Sequence, residues 1–147
     1  MEPTARQRIV LAAMAPANGK HFQPVQIQKL FFLIDRKLGE KVGGPFFDFQ
    51  PYHYGPFDSG VYHTVESLAA RGLAMVSSGP FERRLYGLAS EGQKLGEQLL
   101  GELDERSRDF IKRTCGFVLD TPFDQLVSSI YKAYPEMRAK SIFREPQ

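Results

Sequence analysis

The sequence predicts a mainly α-helical domain of the α+β class, with one two-stranded antiparallel hairpin and additional helices toward the C-terminus. Apolar residues recur at helical spacing in five or six separate stretches of the 147-residue chain. After the third stretch, the turn cluster Ser77–Pro80 separates two short segments whose lengths suit a hairpin. We therefore expect helices with one small antiparallel sheet and no parallel βαβ unit.

The composition is that of one soluble globular domain. A chain of this length buries about two-thirds of its unfolded surface without disulfides or metals. Hydrophobic residues make up 42% and charged residues 24%, which excludes a disordered or collagen-like chain. The net charge of +2 is too small to indicate a nucleic-acid partner, so the placement of the charges has to decide. The lone Cys115 and the absence of a secretory or membrane-spanning run favour the cytoplasm.

Two helices are expected early in the chain. The first runs from Pro3 to Ala15 and ends at the break Pro16–Gly19. The second begins at Pro24 and is apolar nearly all round, because Phe32 and Leu33 widen its helical stripe. Exposing either side chain would forfeit about 1.5–3 kcal/mol of burial, so this segment is predicted to be the central helix.

An aromatic segment follows. The stretch Phe46–Tyr52 is interrupted by a proline and is at best an edge strand. Beyond it, Tyr52, Tyr54 and Phe57 surround a Gly-Pro pair. These rings either pack the entry of the next helix against the core or form a ligand-stacking site.

The third helix is predicted from Pro56 to Arg71. Val61, Val65 and Leu68 form its apolar stripe, and Gly72 supplies the left-handed residue at which a helix often stops.

The predicted hairpin comes next, with strands Leu73–Val76 and Phe81–Tyr86. Ser90 is then expected to cap a fourth helix that extends to Leu100, and Gln93 completes a capping box.

Two further helices are expected, at Leu103–Leu119 and Thr121–Tyr134, and Pro135 ends the second one. We divide this single domain into a core at about 1–100, C-terminal helices at about 102–135 and a tail at 136–147. The amphipathic C-terminal helices either cover the chain's own core or contact a partner, and the partner we expect is a second copy in a homodimer.

One run of about thirty residues resembles a known family. The letters HTVESLAARGLAMV and RRLYGLASEG are similar to the helix, Gly-Leu, wing and Tyr-x-Leu-x-x-x-Gly order of winged-helix transcriptional regulators. The resemblance implies a winged helix-turn-helix core with a two-stranded wing, a DNA-binding protein that regulates transcription.

A second resemblance lies upstream. The segments IQKLFFLID, at Ile27–Asp35, and YHYGPFDSGVY, at Tyr52–Tyr62, resemble the paired segments of Panacea-type, phage-associated antitoxin domains. This resemblance implies an alternative function, a protein-interaction module that neutralises a cognate toxin or another partner.

Contacts with double-stranded DNA would come from the third helix and the wing. The helix side away from the apolar stripe is expected to face the major groove, and the wing arginines are expected to reach phosphates or a narrow minor groove. Alternatively, those arginines are edge-strand charges that keep the hairpin from pairing with another chain. The candidate DNA-binding residues are Ser59, His63, Thr64, Ser67 and Arg71 on the helix, and Arg83 and Arg84 on the wing.

Two acidic residues weigh against DNA binding by this helix. Asp58 and Glu66 would repel phosphates if they faced the duplex. A DNA-binding protein of this kind has to use Asp58 as a helix cap or direct it toward cytosine.

Nothing in the sequence indicates catalysis. His21, His53 and His63 do not form a helical i, i+4 pair around an acid, and no cysteine pair or acidic cluster completes a metal centre. The sequence also lacks a phosphate-binding glycine loop and a strand-borne Gly-x-Ser-x-Gly motif. We therefore expect a non-catalytic protein without a cofactor or a metal ion, in which Cys115 is a small buried hydrophobic residue.

Overall fold

The computed structural model describes residues 2–144. The helices in this part are α1 (Ala5–Met14), α2 (Pro24–Leu38), α3 (Ser59–Ala70), α4 (Ser90–Gly101), α5 (Glu105–Asp120) and α6 (Phe123–Ala133). The strands are β1 (Gln50–Tyr52), β2 (Gly55–Phe57), β3 (Ala74–Ser78) and β4 (Arg84–Leu88). Short 3₁₀ helices lie at Ala15–Ala17, Gly39–Val42, Pro80–Glu82 and Pro135–Arg138.

The strands form two antiparallel pairs, β1 with β2 and β3 with β4. In the second pair, Ala74 lies opposite Leu88 and Ser78 lies opposite Arg84. The segment before α2 joins this pair at one point, because Phe22 and Tyr86 exchange backbone hydrogen bonds of 2.7 and 2.9 Å. The prediction of a mainly helical α+β fold is confirmed, but the described residues form two small antiparallel sheets where the sequence predicted one.

The predicted central position of α2 is also confirmed. Its apolar residues Ile27, Leu30 and Phe32 are fully buried. A capping box at its N-terminus, formed by Gln23 and Gln26, and the proline in its first turn explain where it starts.

One hydrophobic cluster joins the N-terminal and C-terminal helices. Val10 of α1, Ile27 of α2, Ile111 and Val118 of α5, and Leu126 of α6 all belong to it. The inward faces of the C-terminal helices therefore cover the chain's own core.

The third helix begins later than predicted. Pro56 lies in β2, opposite Pro51 of β1, and α3 begins at Ser59. The stretch Phe46–Tyr52 is predicted to be at best an edge strand. Its last three residues instead form β1, which pairs with β2 in a hairpin. Buried Lys29 of α2 stabilises its turn by donating a hydrogen bond from Nζ to the carbonyl oxygen of Tyr54.

The predicted cap of α4 is wrong. Ala89 occupies the N-cap position, Ser90 is already helical, and no side chain caps the helix. The reason is tertiary: the Ala89 N–H donates to the Leu73 carbonyl oxygen at 3.1 Å, and the Gln93 amide donates to the Ala15 carbonyl oxygen at 2.8 Å.

The turn between β3 and β4 is also longer than predicted. Phe81, which the sequence placed in the second strand, lies at the tip with Glu82, and both residues have a left-handed φ of 59°. Hydrogen bonds across the base of this tip, from Gly79 N–H to the Arg83 carbonyl oxygen and from Arg83 N–H to the Pro80 carbonyl oxygen, hold the tip closed.

Helix α6 begins at Phe123 and ends before Pro135, close to the prediction. Of the predicted tail, residues 145–147 lie outside the described part of the chain. Between residues 2 and 144, no helix has both the length and the apolar character needed to cross a bilayer.

Candidate nucleic-acid interface

The outward side of α3 carries a row of polar residues spaced four apart. Ser59, His63, Ser67 and Arg71 are all exposed. Val61, Val65 and Leu68 on the opposite side are fully buried, as predicted. A helix with 3.6 residues per turn places such a row along one ridge, where it presents a continuous surface.

Thr64 does not belong to this row, and its predicted outward position is wrong. Its side chain is 6% exposed, and its Oγ1 donates to the Gly60 carbonyl oxygen at 2.7 Å. The spacing explains the position, because Val61, Thr64, Val65 and Leu68 follow the i, i+3, i+4, i+7 pattern of a buried helix face.

Asp58 is the N-cap of α3. One carboxylate oxygen accepts a 2.7 Å hydrogen bond from the Gly60 N–H, and the other accepts one of 2.7 Å from the Asp48 N–H. Its negative charge therefore lies at the positive end of the helix dipole, where it is stabilising. This is the arrangement that a DNA-binding α3 requires of Asp58.

Glu66 pairs with a wing arginine. Its Oε2 lies 3.4 Å from Nη1 of Arg84, and both side chains are partly exposed to solvent. An exposed pair of this kind contributes about 0–1 kcal/mol, so Arg84 can exchange this partner for a phosphate at little cost.

Two residues of the polar row contact α1 through Gln7. The Gln7 amide donates to Oγ of Ser67 at 3.0 Å and accepts from Nη1 of Arg71 at 3.1 Å. Ser67 in turn donates to the Thr64 carbonyl oxygen at 2.6 Å. These contacts orient the C-terminal half of the row.

Aromatic stacking fixes the β3–β4 hairpin to α3. The rings of Tyr62 and Tyr86 lie 5.2 Å apart and within 5° of parallel. Burial raises the pKa of Tyr62 to about 12, so this phenol stays neutral at physiological pH. The stack holds the β3–β4 hairpin beside α3. Arg83 and Arg84 of this hairpin are both exposed.

Phe81 projects from the tip of the β3–β4 hairpin. Its side chain is 94% exposed. The sequence predicts Phe81 as a strand residue, because no local signal distinguishes a strand position from a position at the tip.

A cleft of about 560 Å³ lies beside this surface, between the start of α2 and the β1–β2 hairpin. Tyr62 of α3, Arg83 of the wing and Phe123 of α6 also line it. The aromatic rings of the hairpin stay partly open to it: Tyr52 is 46% exposed and Tyr54 is 41% exposed.

Lys29 is the residue of this region that the sequence analysis overlooked. It lines the cleft and is 1% exposed, and burial lowers its pKa to about 7 because the ammonium form loses its hydration. The available signal was a lysine inside a helix that is apolar nearly all round.

Within the described part of the chain, no cluster of three or more His, Cys, Asp or Glu side chains is arranged to hold a metal ion. Cys115 is buried, and desolvation raises the pKa of its thiol to about 12. A thiol with so high a pKa is a poor nucleophile at neutral pH.

No protein-family model matches this chain, and a search of curated proteins finds no significant match.

Proposed function

We propose that this chain is a non-catalytic transcriptional regulator that binds double-stranded DNA through a winged helix-turn-helix core. Helix α3 would enter the major groove, and the β3–β4 hairpin would be the wing. The observation that carries this proposal is the exposed row Ser59, His63, Ser67 and Arg71 lying beside a hairpin that holds Arg83 and Arg84.

The dimensions of α3 suit this function. Twelve helical residues span about 18 Å, and the major groove, about 12 Å wide, admits one α-helix. His63 and Ser67, in the middle of the row, are assigned to base edges. The arginines are assigned to phosphates, where a guanidinium group binds strongly but without reading the sequence.

One of the two acidic residues no longer opposes this function, because Asp58 is engaged in capping α3. Glu66 still does, since it loses its partner when Arg84 contacts a phosphate. The order of the elements along the chain supports the proposal as well. It runs from α1 through the bridge at Phe22 to α2, α3 and the β3–β4 hairpin.

The regulator is proposed to act as a homodimer that contacts its second copy through α5 and α6. Two-fold operators are read by two-fold proteins, so a second copy would place a second α3 on the next half-site. On α5, Phe117 remains 41% exposed and offers an apolar contact for this interface.

One observation favours a second function, a Panacea-like interaction module that neutralises a cognate toxin. The two segments that resemble such domains lie in contact: the Gln28 amide donates to the Asp58 carbonyl oxygen at 3.0 Å and accepts from the Asp58 N–H at 2.9 Å. This contact between the two segments supports the second function.

The test is an affinity titration against duplex fragments of genomic DNA at two salt concentrations. The fragments include the DNA directly upstream of the gene that encodes this protein. Replacing both Arg83 and Arg84 with alanine is expected to weaken binding to all fragments alike and to reduce the salt slope by about 1 to 2. Replacing His63 or Ser67 with alanine is expected to change the preference among fragments instead. The control is Lys37→Ala, an exposed lysine on α2 that lies outside both the proposed DNA-binding surface and the proposed dimer interface, and it should leave binding unchanged.

The opposite outcome is equally clear. If no salt-dependent complex forms with any fragment while a pull-down recovers the protein encoded by the neighbouring gene, the interaction module replaces the DNA-binding function.

A further inference from the structure

The cleft between α2 and the β1–β2 hairpin has the features of a small-molecule site. Its volume of about 560 Å³ lies within the range of ligand pockets in proteins. Aromatic side chains form its walls, and those of Tyr52, Tyr54 and Phe123 are each more than one-third exposed. A planar apolar ring would pack against such walls at the usual aromatic distances.

The charges that line the cleft have one sign. Lys29 and Arg83 belong to the lining, whereas Asp and Glu are absent from it. The two cations come from different elements, α2 and the wing, and low-dielectric walls between them strengthen their effect on a bound charge. The lining therefore selects an anionic group.

Lys29 is placed for a direct contact with that group. The side chain is 1% exposed, and its Nζ donates one hydrogen bond, to the Tyr54 carbonyl oxygen. An ammonium group has three N–H donors and no acceptor. Burial removes water from the ammonium group and thereby lowers the pKa of Lys29 to about 7. A bound anion would stabilise the ammonium form again.

The hairpin turn is shaped around this amine. Gly55 has a φ of +106°, and a Cβ atom there would lie 3.2 Å from Nζ of Lys29. A side chain at this position would be strained and would crowd the amine. Glycine thus lets the hairpin turn lie close to the amine without crowding it.

We propose that this cleft binds a planar aromatic molecule that carries an anionic group, of the aryl carboxylate class. The ring would lie among Tyr52, Tyr54 and Phe123, the carboxylate would accept from Nζ of Lys29, and Arg83 would add attraction at the edge. This proposal goes beyond DNA binding and does not depend on it.

The experiment is a calorimetric titration of the full chain with 1-naphthoate, without DNA. A ligand of this size at ordinary efficiency binds with a dissociation constant of about 1 mM or tighter. The neutral 1-naphthylmethanol and the ring-free acetate are expected to bind at least about tenfold more weakly, because each lacks one of the two recognised features.

Variants locate the site. Lys29→Met is expected to weaken 1-naphthoate at least about tenfold, since it removes a buried charged donor. Arg83→Met is expected to weaken it up to about fivefold, because Arg83 is exposed. The matched control is Lys37→Met, an exposed lysine on the same helix that does not line the cleft. For the wall, Tyr52→Ala should weaken binding, whereas Phe81→Ala, outside the cleft, should not.

Because Lys29 also supports the hairpin turn, circular dichroism has to show that Lys29→Met is folded. If it is not, the losses expected for Arg83→Met and Tyr52→Ala, together with 1-naphthoate-induced amide shifts at residues 52–57, carry the conclusion. The proposal is overturned if wild-type protein shows no saturable binding at 1-naphthoate concentrations up to about 10 mM, which is about ten times the expected dissociation constant. Equal binding of 1-naphthylmethanol, or unchanged binding by a folded Lys29→Met variant, overturns it as well.

Discussion

At the scale of single residues, the unusual feature is a fully buried lysine in the central helix. Lys29 has neighbours such as Leu30 and Phe32 that are equally buried, so its charged form loses nearly all hydration. In the unfolded chain the same amine is solvated and has its ordinary pKa. Folding therefore favours the neutral form of Lys29, which makes the stability of the protein depend on pH.

We expect the free energy of unfolding to rise with pH between about 7 and 8.5, with a slope that approaches about 1 kcal/mol per pH unit. The sign follows from the pKa, which is about 7 in the folded chain and 10.5 in the unfolded chain, so the unfolded state binds more protons in this interval. Urea denaturation at several pH values measures the slope.

The upper limit of this window is set by other groups. Burial raises the pKa of Tyr62 and of Cys115 to about 12, so above their ordinary values of 10.0 and 9.0 these two groups lower stability as pH rises. Lys29→Met serves as the control, because it should have a flat profile between pH 7 and 8.5. An unchanged slope in that variant would show that Lys29 is not the cause.

At the scale of elements, close backbone contact decides where α4 begins and how it docks. A Cβ atom on Gly92 would lie 1.7 Å from the Leu73 carbonyl oxygen, and one on Gly96 would lie 2.4 Å from the Leu11 carbonyl oxygen. These glycines let the helix lie directly against the start of the hairpin and against α1. Backbone atoms cannot move aside as a flexible side chain can, so these contacts tolerate no substituent.

We expect Gly92→Ala to destabilise the fold by on the order of 3 kcal/mol, because either α4 or the segment at Leu73 has to shift. The measurement is the midpoint of chemical denaturation. Gly116→Ala is the matched control, since this glycine lies inside α5 and, apart from its own helix backbone and chain neighbours, no atom of the described residues lies within 4 Å of the position of an added Cβ. It should stabilise the chain by up to about 1 kcal/mol, as alanine does in a helix interior. Similar losses in both variants would contradict this assignment.

At the scale of the whole molecule, the C-terminal helices complete the core. Ile111 and Val118 of α5 are fully buried in the cluster that also contains residues of α1 and α2. A smaller cluster joins Phe32 of α2 to Val127 and Ile130 of α6. The division into a core at about 1–100 and appended helices at about 102–135 therefore does not correspond to separate hydrophobic cores.

A chain truncated after residue 101 is accordingly expected to lose cooperative unfolding and to expose apolar surface, because the buried face of α2 loses its cover. Near-ultraviolet circular dichroism and a thermal melt test this. A chain that ends at Lys140 keeps all six helices and loses only the contacts of the last residues, such as the hydrogen bond of 3.0 Å from the Ile142 N–H to the His53 carbonyl oxygen. It should melt cooperatively. A cooperative melt of the chain truncated after residue 101 would contradict this prediction, because it would show that α5 and α6 are not needed for a stable core.

The sequence by itself determined the parts of this protein that depend on neighbours along the chain. The apolar run of α2 predicted the central helix, and the Val61, Val65 and Leu68 stripe predicted the buried side of α3. The glycine-proline turn predicted a hairpin after α3, although its strands are shifted. Helical spacing also indicates that Thr64 is buried, since it falls on the apolar stripe of α3.

Only the tertiary structure decided the features that depend on distant residues. The hairpin at residues 50–57 is stabilised from α2, by Lys29 at Tyr54 and by Gln28 at Asp58. The start of α4 is set by Leu73 and Ala15, and the cleft is lined by five separate elements. The physical reason is that a local pattern reports which side of an element is apolar, whereas the burial of a polar group depends on which donors, acceptors and rings folding brings against it.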